Sequence, residues 1–157
     1  MDRGREGASR LTEDYERIAV AIGEARLSLS EGGIPIGAAL FRGPDLLGGG
    51  HNRRVQLRNP ILHGEMDCLQ NVGRVGTYAG TTMYSTLMPC YMCAGTIVQF
   101  RVPRVVVGES LTFPGGRDFM QAHGVEVVDL EMQECAEMLH GFIAANQELW
   151  AEDIGEL

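Results

Sequence analysis

A chain of 157 residues, 45% apolar and 22% charged, suits a single globular domain spanning 1–157 with a real core, and leaves little room for disorder beyond its ends. Thirteen Lys and Arg against twenty-one Asp and Glu give a net charge of −8, which argues against long nucleic acid as a partner, because phosphate contacts need basic patches. No apolar run spans a membrane, no signal-peptide pattern opens the chain, and the four cysteines are too unevenly spaced for a secreted disulfide framework, so the expected setting is the cytoplasm and the expected partner a small, uncharged molecule.

Residues 1–10 are polar and Gly-rich and read as a loose N terminus. From Thr12, a candidate N-cap, to about Ser30, the apolar residues Ile18, Ala21, Ile22, Ala25 and Leu29 mark one helical face. A strand over 34–42 and a return strand over 44–52 follow, joined by a tight turn. Pro60 opens a loop that feeds a helix within 61–72. Then come a strand over 81–86, an apolar helix over 93–100, a strand over 104–108, an irregular segment over 110–123, a strand over 125–130, a helix over 132–147 and a short last helix over 148–154. Strands alternating with helices predict an α/β sandwich, with helices on both faces of a central sheet.

Chemistry concentrates in two stretches. Residues 86–95 read TLMPCYMCAG, with Cys90 and Cys93 three apart after Pro89. Cys68 and Cys135 stand alone and read as buried thiols on helix faces, so a four-cysteine zinc site has no second pair. The third ligand is His63 in LHGEMDC, which gives His-x-Glu 25 residues before Cys90. One His and two Cys leave a fourth position open, the mark of a catalytic rather than a structural zinc. Cys90 and Cys93 at a helix start lie on one side of the turn, where unpaired N–H groups favour thiolate. Glu65 points to another side of its own turn and can reach a water at the metal without binding it, the position of a general acid/base. This His-x-Glu…Pro-Cys-x-x-Cys pattern is the described signature of zinc deaminases, whose metal lowers the pKa of its water to about 7.

The stretches EGGIPIGAAL, GGGHNRR, LHGEMDCLQNVGR, TTMYSTLMPCYMCAG, RVVVGES and WAEDIGE together resemble the yeast-type cytosine deaminases of the cytidine-deaminase-like superfamily, from about Tyr15 to Glu156. The resemblance implies a three-layer α/β/α sandwich with a mixed sheet of about five strands, one zinc ion per chain and a homodimer. It implies hydrolysis of cytosine to uracil and ammonia by zinc-bound hydroxide, with Glu65 as proton shuttle. It implies that Asn52 and the Gly64 N–H hold the ring carbonyl edge, that Asp153 accepts from the exocyclic amine, that Phe113 and Trp150 pack on the ring, and that Ile34, Leu87 and Met88 line the pocket. Without it, Asn52 is a turn residue, Asp153 a solvated carboxylate, and the two aromatics core. His51 reads as structural. Met88 and Tyr91 stand where yeast cytosine deaminase has Ser and Asp. That difference leaves open another small amino-heterocycle (creatinine, isocytosine or guanine). A nucleoside or tRNA deaminase fits the acidic charge less well. A non-catalytic zinc scaffold has no use for Glu65.

Overall fold

The computed structural model describes residues 3–157. Its elements, in chain order, are α1 (Arg3–Ser30), β1 (Gly37–Arg42), β2 (Asp45–His51), α2 (Arg54–Leu57), α3 (Gly64–Val72), β3 (Thr81–Leu87), α4 (Tyr91–Phe100), β4 (Arg104–Glu109), α5 (Arg117–Ala122), β5 (Glu126–Asp129), α6 (Gln133–Ala145) and α7 (Gln147–Asp153).

The sheet order is β2-β1-β3-β4-β5. β1 pairs antiparallel with both β2 and β3, while β3, β4 and β5 run parallel, so the sheet is mixed. Its strands alternate between two cores, as a period of two requires. Ala38, Leu40, Met83, Val105 and Val107 face Cys68 and Leu69 of α3, Ala94 and Ile97 of α4 and Met120 of α5. Ala39, Phe41, Tyr84 and Val106 face Ile18, Ala21 and Ile22 of α1 and Cys135 of α6. Three layers result, with the sheet in the middle.

Close packing explains two of the glycines. A Cβ on Gly37 would stand 2.1 Å from Ala21 O, and one on Gly50 would stand 2.4 Å from Cys68 N. Helices α1 and α3 therefore press on the antiparallel hairpin more closely than any side chain allows. A buried polar tie fixes α1 as well. Asp14, 2% exposed, accepts from Tyr84 Oη at 2.8 Å and from both Nη atoms of Arg104 at 2.7 Å.

Several expectations need correction. Helix α1 starts at Arg3, so residues 3–10 are helical rather than loose, while residues 1 and 2 lie outside the described residues. Thr12 is no cap; its Oγ1 donates back to Ala8 O at 3.0 Å, the bond of a mid-helix threonine. Ile34 and Ile36 precede β1 instead of belonging to it. The segment taken as irregular holds α5, and α2 lies over residues 54–57, where no element is expected from the sequence. Both are too short to show a periodic apolar face.

Candidate active site

Two helix starts bring the metal-binding set together. His63 is the N-cap of α3 and Cys90 the N-cap of α4, each in extended backbone, and Cys93 lies in the first turn of α4. His63 Nδ1 is 3.4 Å from Cys90 Sγ and 3.8 Å from Cys93 Sγ. All three donor atoms lie within 4.8 Å of one another. Zinc bonds of about 2.1 Å to nitrogen and 2.3 Å to sulfur, at a tetrahedral angle, separate N from S by about 3.6 Å. The two observed distances bracket that value. The residues therefore fit zinc in type and spacing, with a fourth position to spare.

Charge is already arranged for a cation. The Cys93 thiol, aided by the His63 ring, holds Cys90 down at about 4. Cys93 itself, facing that thiolate in a buried position, is pushed well above the usual thiol range. Burial disfavours a charged His63, but Asp153 and Cys90 outweigh it and raise its pKa to about 10. Zinc takes both sulfurs as thiolates and the imidazole as a neutral ring, so its binding is accompanied by loss of protons from this set.

Glu65, the second residue of α3, is 4% exposed. Burial, helped by the Cys90 thiolate, raises its pKa above the carboxylate range. Ser85 Oγ on β3 lies 2.8 Å from Glu65 Oε1 and 2.8 Å from Leu87 O. A hydroxyl has one proton to donate but accepts as well. Ser85 can therefore donate to ionised Glu65, or accept from protonated Glu65 while donating to Leu87 O.

These groups line a cavity of about 20 Å³. Its polar wall is His63, Glu65, Cys90 and Asp153; its apolar wall is Ile36, Leu87, Met88, Phe113, Trp150 and Ile154. Phe113 and Trp150 meet edge to face at 6.4 Å. The space suits little more than a water, so a ring enters only if the apolar wall shifts.

Three residues expected in the pocket, Ile34, Gly64 and Asn52, are not among those that line the cavity. Ile34 is fully buried among Leu139, Phe142 and Trp150, and Ile36 takes its place at the cavity. Gly64 begins α3, where its N–H has no carbonyl within the helix to bond, and a Cβ there would stand 3.1 Å from Ile36 O. Asn52, fully buried, donates its backbone N–H to Ile36 O at 2.9 Å. Its Oδ1 accepts from Arg54 N at 3.0 Å, and its Nδ2 has no hydrogen-bond partner. Asp153 Oδ1 is buried too and approaches His63 Nε2 to 3.0 Å, out of line for a hydrogen bond, so it also has no such partner. Asn52 Nδ2 is thus a buried donor without a hydrogen bond, and Asp153 Oδ1 a buried acceptor with charged neighbours but no hydrogen bond, where native proteins pair nearly all polar groups.

Sequence reasoning missed Ser85, Ile36 and Ile154. Ser85 looks like any polar strand residue, and Ile36 matches Ile34 in both residue type and parity. His51, read as structural, is fully buried with Nδ1 2.6 Å from Glu24 Oε2 and Nε2 2.6 Å from Glu31 Oε1, tying the end of β2 to α1 and to the turn that follows it.

A sequence model of the cytidine and deoxycytidylate deaminase zinc-binding region matches residues 11–109, the span that holds His63, Glu65, Cys90 and Cys93. The chain is 46% identical over 147 residues to cytosine deaminase of Candida albicans, covering 92% of this chain and 98% of that protein. It is 31% identical over 140 residues to a tRNA-specific adenosine deaminase of Streptococcus pyogenes, covering 82% and 88%. Among solved structures, one from a study of tRNA:A34 deaminases aligns with a TM-score of 0.68 at 27% identity, covering 77% of this chain and 96% of that one. A guanine deaminase from Nitrosomonas europaea aligns with a TM-score of 0.67 at 22% identity, covering 82% and 83%, a likeness of fold alone. With this fold, this metal-binding set and these relatives, the chain belongs to the cytidine and deoxycytidylate deaminase family and is a zinc-dependent aminohydrolase.

Proposed function

We propose that the chain deaminates free cytosine, with His63, Cys90 and Cys93 holding one zinc ion and Glu65 moving the protons. The observation that carries the choice of substrate is the 46% identity to cytosine deaminase of Candida albicans over 147 residues, an alignment that covers 92% of the chain.

The overall reaction is cytosine plus water to uracil plus ammonia. Bound zinc supplies the acidified water that serves as nucleophile. Glu65 takes one proton from the attacking water and gives it to the ring nitrogen, then takes the second proton from the same oxygen and hands it to the departing amine as the carbon–nitrogen bond breaks. Its raised pKa suits both directions of transfer, because a carboxylate lifted from its usual range accepts a proton more readily near neutral pH. Ser85 keeps it in place in either protonation state. Asn52 Nδ2 and the Gly64 N–H donate to the ring carbonyl, and Asp153 Oδ1 accepts from the exocyclic amine. Phe113 and Trp150 cover the ring, Leu87 and Met88 border it, and Ile34 backs that wall. The spare donor and acceptor support this reading, since cytosine offers an acceptor and a donor in turn.

We infer a homodimer as well. A groove of about 910 Å³ runs between α3 and α4, lined by Leu62, Met66, Leu69, Tyr78 and Phe100 and bordered by Ile61. Ile61 is 54% exposed and Phe100 46%, so two large apolar side chains at this groove stand open to a second copy.

Ammonia release from cytosine, 5-methylcytosine, isocytosine, guanine, creatinine and cytidine tests the substrate. Cytosine is expected to lead, with cytidine a very poor substrate because the closed wall has no room for a ribose. Faster release from guanine or creatinine would replace cytosine as the substrate.

A further inference from the structure

Arg54 stands where the two polar arms of the site meet. It opens α2, two residues after Asn52, and its backbone N–H donates to Asn52 Oδ1 at 3.0 Å. That bond occupies the amide oxygen and fixes the amide plane, leaving Nδ2 as the atom without a partner. The side chain runs the other way, to the C-terminal helix. Nη1 donates to Pro60 O at 2.9 Å, and Nη2 donates to the Glu152 carbonyl at 3.4 Å. The guanidinium also lies 3.7 Å from Glu152 Oε1 and 3.8 Å from Asp153 Oδ1.

Helix α7 needs such a hold. Seven residues are too few to keep a helix by themselves. Leu149, Trp150 and Ile154 pack with Val55, Phe142 and Ile143, which sets how near α7 lies to the body. Apolar packing is non-directional, however, and does not by itself choose the rotation of the helix. A planar guanidinium with one nitrogen on Pro60 O and the other on Glu152 O does choose it. It also favours the negative C-terminal end of α7, where Glu152 and Asp153 lie.

We propose that Arg54 is the positioning residue of the substrate site. Its backbone presents Asn52 Nδ2, and its guanidinium holds α7 so that Asp153 Oδ1 faces the same ring. The identity of that ring rests on the cytosine reading; the hold on α7 does not. The hydrogen bonds and ion pairs of the side chain go to Pro60, Glu152 and Asp153 and not to the three metal-binding residues, so its removal should loosen substrate recognition without emptying the metal site.

Arg54→Met keeps the aliphatic stem and loses the fork. Trp150 is the sole tryptophan, so its fluorescence reports the position of α7 without any need for turnover. In the zinc-loaded variant, the acrylamide quenching constant of Trp150 is expected to rise about twofold or more and KM for cytosine about tenfold, with kcat within about threefold and zinc content unchanged. Arg54→Lys, which keeps the charge without the planar fork, is expected to fall between the variant and the wild type in both readouts. Quenching and KM at wild-type values in Arg54→Met would overturn the proposal. So would a loss of zinc with lower kcat at unchanged KM, the pattern of a merely structural residue, or an Arg54→Lys protein equal to wild type. Should wild-type protein release no ammonia from cytosine, the substrate reading fails while the quenching result still decides the role of Arg54.

Discussion

Single side chains carry the chemistry. Asn52→Ala removes the spare donor and is expected to lower kcat/KM for cytosine about 5- to 150-fold, the equivalent of roughly 1–3 kcal/mol, with zinc retained. Unchanged kcat/KM would leave Asn52 a turn residue. Ser85→Ala leaves Glu65 without its hydroxyl partner and is expected to lower kcat by about tenfold or more at unchanged zinc content, measured in the same ammonia assay. A further expectation concerns the two thiols outside the metal set. Burial pushes Cys68 and Cys135 up to about 12, from an ordinary value of 9.0. A thiol with a raised folded pKa favours folding fully below the unfolded value, and that contribution is lost as pH rises through the window from 9 to 12. Between pH 9 and 10.5 each thiol is expected to cost about 1.5 kcal/mol of stability. Urea unfolding at the two pH values measures the loss, and a Cys68→Ala, Cys135→Ala protein should show a smaller one. At this scale the sequence was most legible where chemistry restricts the residue type. Few side chains bind zinc, so His63, Cys90 and Cys93 stood out. Asn52 and Asp153 could be named only through resemblance, because an unpaired amide or carboxylate is a property of packing. Ile34 and Ile36 could not be told apart, since both are apolar and only the path of the chain puts Ile36 at the cavity.

Among the elements, α7 is the one whose removal should separate metal binding from turnover. Truncation before Trp150 leaves α3 and α4, which present the metal-binding residues, but opens the apolar wall and removes Asp153. Zinc is expected to stay, while cytosine turnover falls about 100-fold or more. A truncated protein that turns over cytosine at the intact rate would make α7 mere outer packing. The first turns of α1 are the opposite case. Residues 3–11 are all exposed, and the Arg10–Glu126 pair at 3.4 Å is an exposed one. Such pairs contribute little, so deletion of residues 1–10 is expected to leave the melting temperature within about 2 °C and activity within about twofold. Long elements with strong patterns were legible, and all five strands appear in the expected order. The early start of α1 was not, because a polar, Gly-containing helix with no buried face has no period to read. The short helices α2 and α5 escaped for the same reason.

For the whole molecule, the acidic balance and the closed cavity both favour a small uncharged substrate over a long nucleic acid. The apolar groove between α3 and α4 was invisible in the sequence, because its lining comes from residues 61–78 together with Thr96 and Phe100. Sedimentation equilibrium is expected to give twice the mass of one chain, and Phe100→Asp to shift the protein toward monomer; a wild-type monomer at micromolar concentration would contradict the dimer. Among the described residues, no helix is long and apolar enough to cross a membrane. The central claim is that one buried carboxylate beside a three-ligand zinc moves the protons of cytosine deamination. Steady-state ammonia release from cytosine, by wild-type protein and by Glu65→Gln at equal zinc content, tests it most directly. The account predicts one zinc per chain in both proteins and a loss of kcat of about 10⁴-fold or more in the variant. A Glu65→Gln protein with full zinc that deaminates cytosine within tenfold of the wild-type rate would contradict it.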